Sequence, residues 1–162
     1  AACLVQNLAL KKARAVAKLH PDDVVLAADT VVALDNHILG KPQDKEQAQK
    51  MLRMLSNQVH QVYTGYCILK QSRCEIGVSC TSVEFYPLSD EDIESYIATG
   101  EPFDKAGGYG IQSLGALLVR KIDGDFYNVV GLPIAEISRL LRTFGSSNTA
   151  AESNHEKESP TL

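Results

Sequence analysis

Two strand-rich runs, Val59 to Leu69 and Ile76 to Tyr86, stand on either side of the polar stretch KQSRCE. β-branched and aromatic residues dominate both, so the pair predicts a long antiparallel hairpin. A lone hairpin is marginal in water and needs cover from other elements. The flanking sequence supplies candidates at helical spacing. "AACLVQNLALKKARAVAKLH" reads as a helix to about Leu19, stopped by Pro21, with Leu4, Leu8, Val16 and Leu19 among its apolar positions. No capping residue precedes it, which reads as a chain that begins inside a larger protein. Lys12 lies four residues from both Leu8 and Val16 and shares their face.

Val24 to Ala28 is apolar throughout and predicts a strand buried on both faces, resumed by Val31 to Leu34 before the turn LDNH. Asp44 and Gln47 are placed to cap a helix carrying Ala48, Met51, Leu52 and Leu55. Ser89 is placed to cap a short acidic helix with Ile93, Tyr96 and Ile97, ended by Gly100. Leu117 to Ile122 and Phe126 to Val130 read as a second hairpin around Asp123-Gly124. Pro133 opens a last helix with Ile134, Ile137, Leu141 and Phe144 on one face. Helices alternating with strands and hairpins give an α/β chain with a mixed sheet.

The length, 162 residues, suits one domain that buries its core without staples. Net charge is −4 with no basic run, which argues against nucleic acid and membrane-surface partners. Cys3, Cys67, Cys74 and Cys80 form no C-x-x-C pair and read as free thiols of a reducing compartment, the cytoplasm. No apolar stretch reaches the ~18 residues of a membrane span. From Gly145 onward the chain offers one branched aliphatic residue, at its end, so 145–162 reads as a disordered tail.

Three places carry candidate chemistry. Asp29 ends an apolar run, where open α/β sheets collect ligand groups; it either holds a divalent cation or polarises a water, or it caps a turn. Lys41 stands between Gly40 and Pro42, which restrain its backbone; it is either a held phosphate ligand or a solvated turn lysine. With Lys12, these residues are the set a triphosphate and metal site needs. The loop DKAGGYGIQ adds Asp104, Lys105 and Gln112. Gln112 offers a donor and an acceptor, as the edge of a nucleobase requires, and the alternative is a structural glycine turn. The loop lacks P-loop spacing. A lone histidine opening a strand, His60, reads as structural.

In order, "AADTVV", "LGKP", "VHQVYTG" and "FDKAGGYGIQ" resemble the Maf family of nucleoside triphosphate pyrophosphatases. The similarity runs from "LALKKARAV" through "NVVGLPI" to the final helix. It implies an elongated, twisted sheet flanked by helices, with two lobes around a cleft. It implies hydrolysis of a nucleoside triphosphate to monophosphate and pyrophosphate with a divalent metal, Mg²⁺ or Mn²⁺. By the resemblance Asp29 is the catalytic acid and metal ligand, Thr30 its specificity neighbour, and Lys12 and Lys41 phosphate ligands. Lys105 and Gln112 look like the branch that acts on dTTP, UTP and modified forms, and a homodimer is the family's habit. The family's first strand, its S-x-S-P-R-R loop and a metal-binding glutamate beyond them are not among these residues, so the expected domain is 1–144 without that segment. The rival expectation is a non-catalytic nucleotide-binding or regulatory protein that lost its phosphate arm.

Overall fold

A computed structural model of the chain describes residues 1–35 and 37–145. The tail expected at 145–162 lies, beyond Gly145, outside the described residues. The order is α1 (Ala2–Ala17), β1 (Val25–Leu34), β2 (His37–Leu39), α2 (Lys45–Leu55), β3 (Val59–Lys70), β4 (Arg73–Phe85), α3 (Asp90–Ala98), β5 (Val119–Asp123), α4 (Phe126–Val130) and α5 (Ile134–Gly145). Short 3₁₀ turns fill the chain between α3 and β5.

The strands form one sheet in the order β2-β1-β3-β4-β5. The expected β3–β4 hairpin is its spine and pairs from Val59↔Glu84 to Lys70↔Arg73. Every pairing among the described residues is antiparallel, so within the α/β fold the sheet is antiparallel rather than mixed. The hairpin logic extends to β1, whose residues Val25 to Ala33 pair along β3. The connection from β1 to β3 runs through the short β2 and α2, and it returns the chain antiparallel to β1.

The length of β3 spans two lobes, and alternation of its side chains gives the second lobe a helix on each face. Toward one end, Val62 joins Val83, Phe85, Leu52, Leu55 and Ile93 in the larger core, under α2 and α3. Toward the other, Cys67 packs against Ala9 and Ala13 of α1, while Tyr66 and Ile68 pack against Ile137 and Phe144 of α5. The helix caps form as expected. Asp44 accepts from the Gln47 amide at 2.8 Å, although Gln47 reaches back to the Gln43 amide instead of the cap's own. Ser89 and Asp92 make a reciprocal capping box, and Gly100 takes the left-handed conformation just after α3.

Several local expectations are corrected. The buried face of α1 is Val5, Ala9 and Ala13, not the stripe of larger residues; Leu4, Val16 and Leu19 are exposed. The reason is close approach. A Cβ at Gly65 of β3 would stand closer than 3.0 Å to backbone atoms of Val5, so helix and strand meet through their smallest residues. The β1 run is not buried on both faces: Val25 is buried, and its neighbour Leu26, facing the other way, is exposed. On α5 the inward residues are Ile137, Leu140 and Phe144, with Ile134 and Leu141 exposed.

Phe126 to Val130 is a helix, not the second arm of a hairpin. Asp125 caps it by accepting from the Tyr127 amide at 2.8 Å. Asn128, fully buried, donates to the Val62 carbonyl at 3.0 Å and to the Thr81 hydroxyl at 2.9 Å. These tertiary bonds to β3 and β4 override the β-propensity of Phe, Tyr and Val. β5 pairs with β4 instead.

Candidate active site

β2 covers β1 only at Val32, Ala33 and Leu34, which leaves the strand's edge at Asp29 and Thr30 without a strand partner on that side among the described residues. A cavity of about 420 Å³ lies there, and its lining includes Lys12, Asp29, Thr30, Lys41, Lys105 and Gln112. All six candidate residues drawn from four separated stretches therefore meet at one place. Alternation sends Asp29 and Thr30 to opposite faces of the sheet, yet both line the cavity because it runs along this uncovered edge.

Lys12 donates to the Asp29 carboxylate and to the Ala28 carbonyl, the latter at 3.2 Å. The lysine side chain is 54% exposed and the aspartate 20%. An ion pair this open to water is worth only about 0.2–1 kcal/mol, so a multiply charged ligand can draw Lys12 away at little cost. On the other face, Thr30 Oγ1 lies 2.8 Å from Thr64 Oγ1, which donates to the Asn128 carbonyl at 3.0 Å. Thr30 is thus fixed by a relay that ends on α4, and Val129 and Val130 at the end of that helix, with Gly131 just beyond it, line the cavity.

The Gly-Lys-Pro turn is docked rather than free. Gly40 carbonyl accepts from the Gly107 amide at 3.0 Å. Gly107 has φ 72°, and a Cβ there would press into Val32, so only glycine fits this junction. The contact brings Lys41 beside the Asp104–Lys105 pair, whose Nζ–Oδ distances are 2.7 and 2.8 Å. The Lys105 bond holds the Asp104 carboxyl below its ordinary range, with a smaller contribution from Lys41.

His60 lies outside the cavity lining. It is fully buried, its Nε2 is 2.8 Å from the Tyr109 hydroxyl, and its ring meets Phe85 and Tyr109 edge-on. Burial depresses its pKa to about 4, so it is neutral near pH 7. It supports Tyr109, which does line the cavity.

Sequence reasoning missed Glu101, Tyr109 and Ser113, all in the lining. The position of Glu101 after a helix-ending glycine was a signal only for a turn. Asp29 faces the open cavity, whose other carboxylates, Asp104 and Glu101, are bonded to Lys105 and Ser113, and no group of three or more His, Cys, Asp or Glu side chains converges on a metal position among the described residues. That donor set fits a cation of the Mg²⁺ type, which often takes one or two carboxylates and completes its shell with substrate phosphates and water. All four cysteines are free. No helix among the described residues is long and apolar enough to cross a membrane.

Fold and cavity together define an α/β protein with a lysine-lined cleft between two lobes. The chain belongs to the Maf family: it matches the family described as Maf-like protein over residues 1–144. It is 53% identical over 144 residues to the dTTP/UTP pyrophosphatase of Halalkalibacterium halodurans, covering 89% of this chain and 76% of that protein. It is 56% identical over 140 residues to the dTTP/UTP pyrophosphatase of Bacillus velezensis, covering 86% and 74%. To the dTTP/UTP pyrophosphatase of Exiguobacterium sibiricum it is 55% identical over 141 residues, covering 87% and 71%.

Proposed function

We infer that this chain hydrolyses pyrimidine nucleoside triphosphates, dTTP and UTP, to monophosphate and pyrophosphate. The observation that carries the reading is the meeting of Lys12, Asp29, Thr30, Lys41, Lys105 and Gln112 in one cavity, in a chain whose relatives are dTTP/UTP pyrophosphatases. In the reaction a water oxygen bonds to the α-phosphorus, and the bond from that phosphorus to the bridging oxygen breaks. The water's proton passes to Asp29, and pyrophosphate leaves.

Lys12 and Lys41, both in the cavity lining with Asp29, set positive charge against the phosphate oxygens. Such fixed charge stabilises the transition state most when it is already oriented, and the Gly40–Gly107 bond orients Lys41. When substrate arrives, Lys12 exchanges the carboxylate for phosphate and frees Asp29 to work as a base. Asp29, with phosphate oxygens of the substrate, would hold a divalent cation, Mg²⁺ or Mn²⁺, which when bound supplies further charge neutralisation there. Lys105 closes the cavity beside Asp104, Thr30 shapes the wall next to Asp29, and the Gln112 amide meets the edge of the base. The working domain is residues 1–144, and the cytoplasm, on the free thiols, and a homodimer, on the family resemblance, belong to the same proposal.

Pyrophosphate release from dTTP, UTP, ATP and GTP by the full-length protein tests the reading. Preference for dTTP and UTP is expected; equal turnover of all four would contradict the pyrimidine assignment.

A further inference from the structure

The loop that carries Gln112 is closed at its base by two glycines. A Cβ at Gly115 would stand closer than 3.0 Å to Gly110 backbone atoms and to the Tyr96 hydroxyl, so the Gly110 and Gly115 backbones press together. The Tyr96 hydroxyl, on α3, accepts from the Gly110 amide at 3.0 Å. From the other side the Glu101 carboxylate accepts from the Ser113 hydroxyl and, at 3.4 Å, from the Leu114 amide. Ile111 is buried and anchors the near arm of the loop. Gln112 is left exposed at the apex, in the cavity lining, between its two tethered neighbours Ile111 and Ser113.

We propose that Glu101, together with Tyr96, is a positioning residue that fixes Gln112 and thereby sets base discrimination. The inference rests on the reading of Gln112 as the residue that meets the base. An amide on a slack loop would lose conformational freedom on binding and accept several base edges. An amide on a loop tied at both ends presents its donor and acceptor in one arrangement, so a base with the wrong pattern leaves them unpaired. The tie is charge-assisted, and the Ser113 hydroxyl holds the Glu101 carboxyl below its ordinary range, so the clamp is ionised near neutral pH. Tyr96 adds the second tie, and its ring is buried in the larger core, which makes the loop continuous with a rigid lobe.

The test compares kcat/KM for UTP with that for GTP in the full-length protein and in Gln112→Ala, Glu101→Gln, Ser113→Ala and the double variant Glu101→Gln/Gln112→Ala. Glu101→Gln is expected to lower the UTP:GTP ratio by ~10-fold or more, the effect of losing a hydrogen bond to a charged group. The loss should fall mainly on KM for UTP, and the double variant should have the same ratio as Gln112→Ala alone. Ser113→Ala removes one exposed hydroxyl and should shift the ratio in the same direction, which keeps the test decisive if Glu101→Gln does not fold. A collapsed ratio in Gln112→Ala with an unchanged ratio in Ser113→Ala and in folded Glu101→Gln would overturn the clamp. An unchanged ratio in Gln112→Ala would instead overturn the base-reading role of Gln112, and this inference with it.

Discussion

Lys12 of α1 and Asp29 of β1 form an ion pair at the mouth of the cavity, and the same ammonium donates to the Ala28 carbonyl at 3.2 Å. The pair joins the first helix to the first strand without help from burial, since the lysine is more than half exposed. Its small stabilising value suits the substrate-binding use proposed for Lys12.

Replacement of Lys12 by alanine should therefore change stability by less than about 1 kcal/mol, the range of exposed ion pairs. It should raise KM for UTP and lower kcat, because a phosphate contact is partly made in the ground state. Steady-state kinetics beside a denaturant titration checks both. An unchanged KM would remove Lys12 from the phosphate site.

Gly65 lines no part of the cavity, yet it controls how closely α1 lies on β3. A methyl group there meets backbone, which cannot swing aside as a side chain would. Gly65→Ala should cost roughly 1–3 kcal/mol of stability, as overpacking does. By moving α1 it should also weaken the Lys12–Asp29 register and lower activity. A fully active and fully stable Gly65→Ala protein would show that the helix adjusts freely.

Much of this arrangement is legible in the sequence, and the limits have physical causes. Local signals held: Asp44 and Ser89 cap their helices, and Val59 to Tyr86 folds as the central hairpin. They are legible because a cap or a hairpin is decided within a few residues. The face of α1 was misread because large apolar residues outweigh alanine in any periodicity count. What decides that face is Gly65, far away in the chain. Phe126 to Val130 was misread for a similar reason, since the Asn128 amide nitrogen is held by β3 and β4. The candidate residues Lys12, Asp29, Lys41, Lys105 and Gln112 were legible as chemistry, but their meeting depends on distant contacts, such as the Gly65–Val5 approach and the Gly40–Gly107 bond, which no local pattern announces. Glu101 and Tyr109 were missed because their partners, Ser113 and His60, are distant in sequence.

His60 gives the fold a pH dependence with a definite sign. Burial lowers its pKa from 6.5 to about 4, so between these values the unfolded chain binds more protons than the folded one. Stability is fully present above pH 6.5 and is lost as pH falls toward 4. The 2.5-unit interval, 6.5 less 4, corresponds to about 3 kcal/mol at most. His60→Gln should be less stable at pH 7, through its altered bond to Tyr109, but should lose about 2–3 kcal/mol less than the parent between pH 7 and pH 4. Urea titrations of both proteins at several pH values measure this difference. Parallel pH profiles would show that His60 is not the group responsible.

In the proposed reaction, the chemistry of the cleft turns on Asp29. Asp29→Asn keeps the size of the side chain and its fitness for a turn, while removing the charge that accepts a proton or holds a cation. A general base alone typically contributes ~10²–10⁴-fold in rate. Pyrophosphate release from UTP by the full-length Asp29→Asn protein, measured at saturating substrate beside a melting curve, is the most direct measurement. A fall of at least ~100-fold, the low end of that range, with melting close to the parent's, is the expected result. A folded Asp29→Asn protein that keeps most of its turnover would contradict the catalytic role of Asp29.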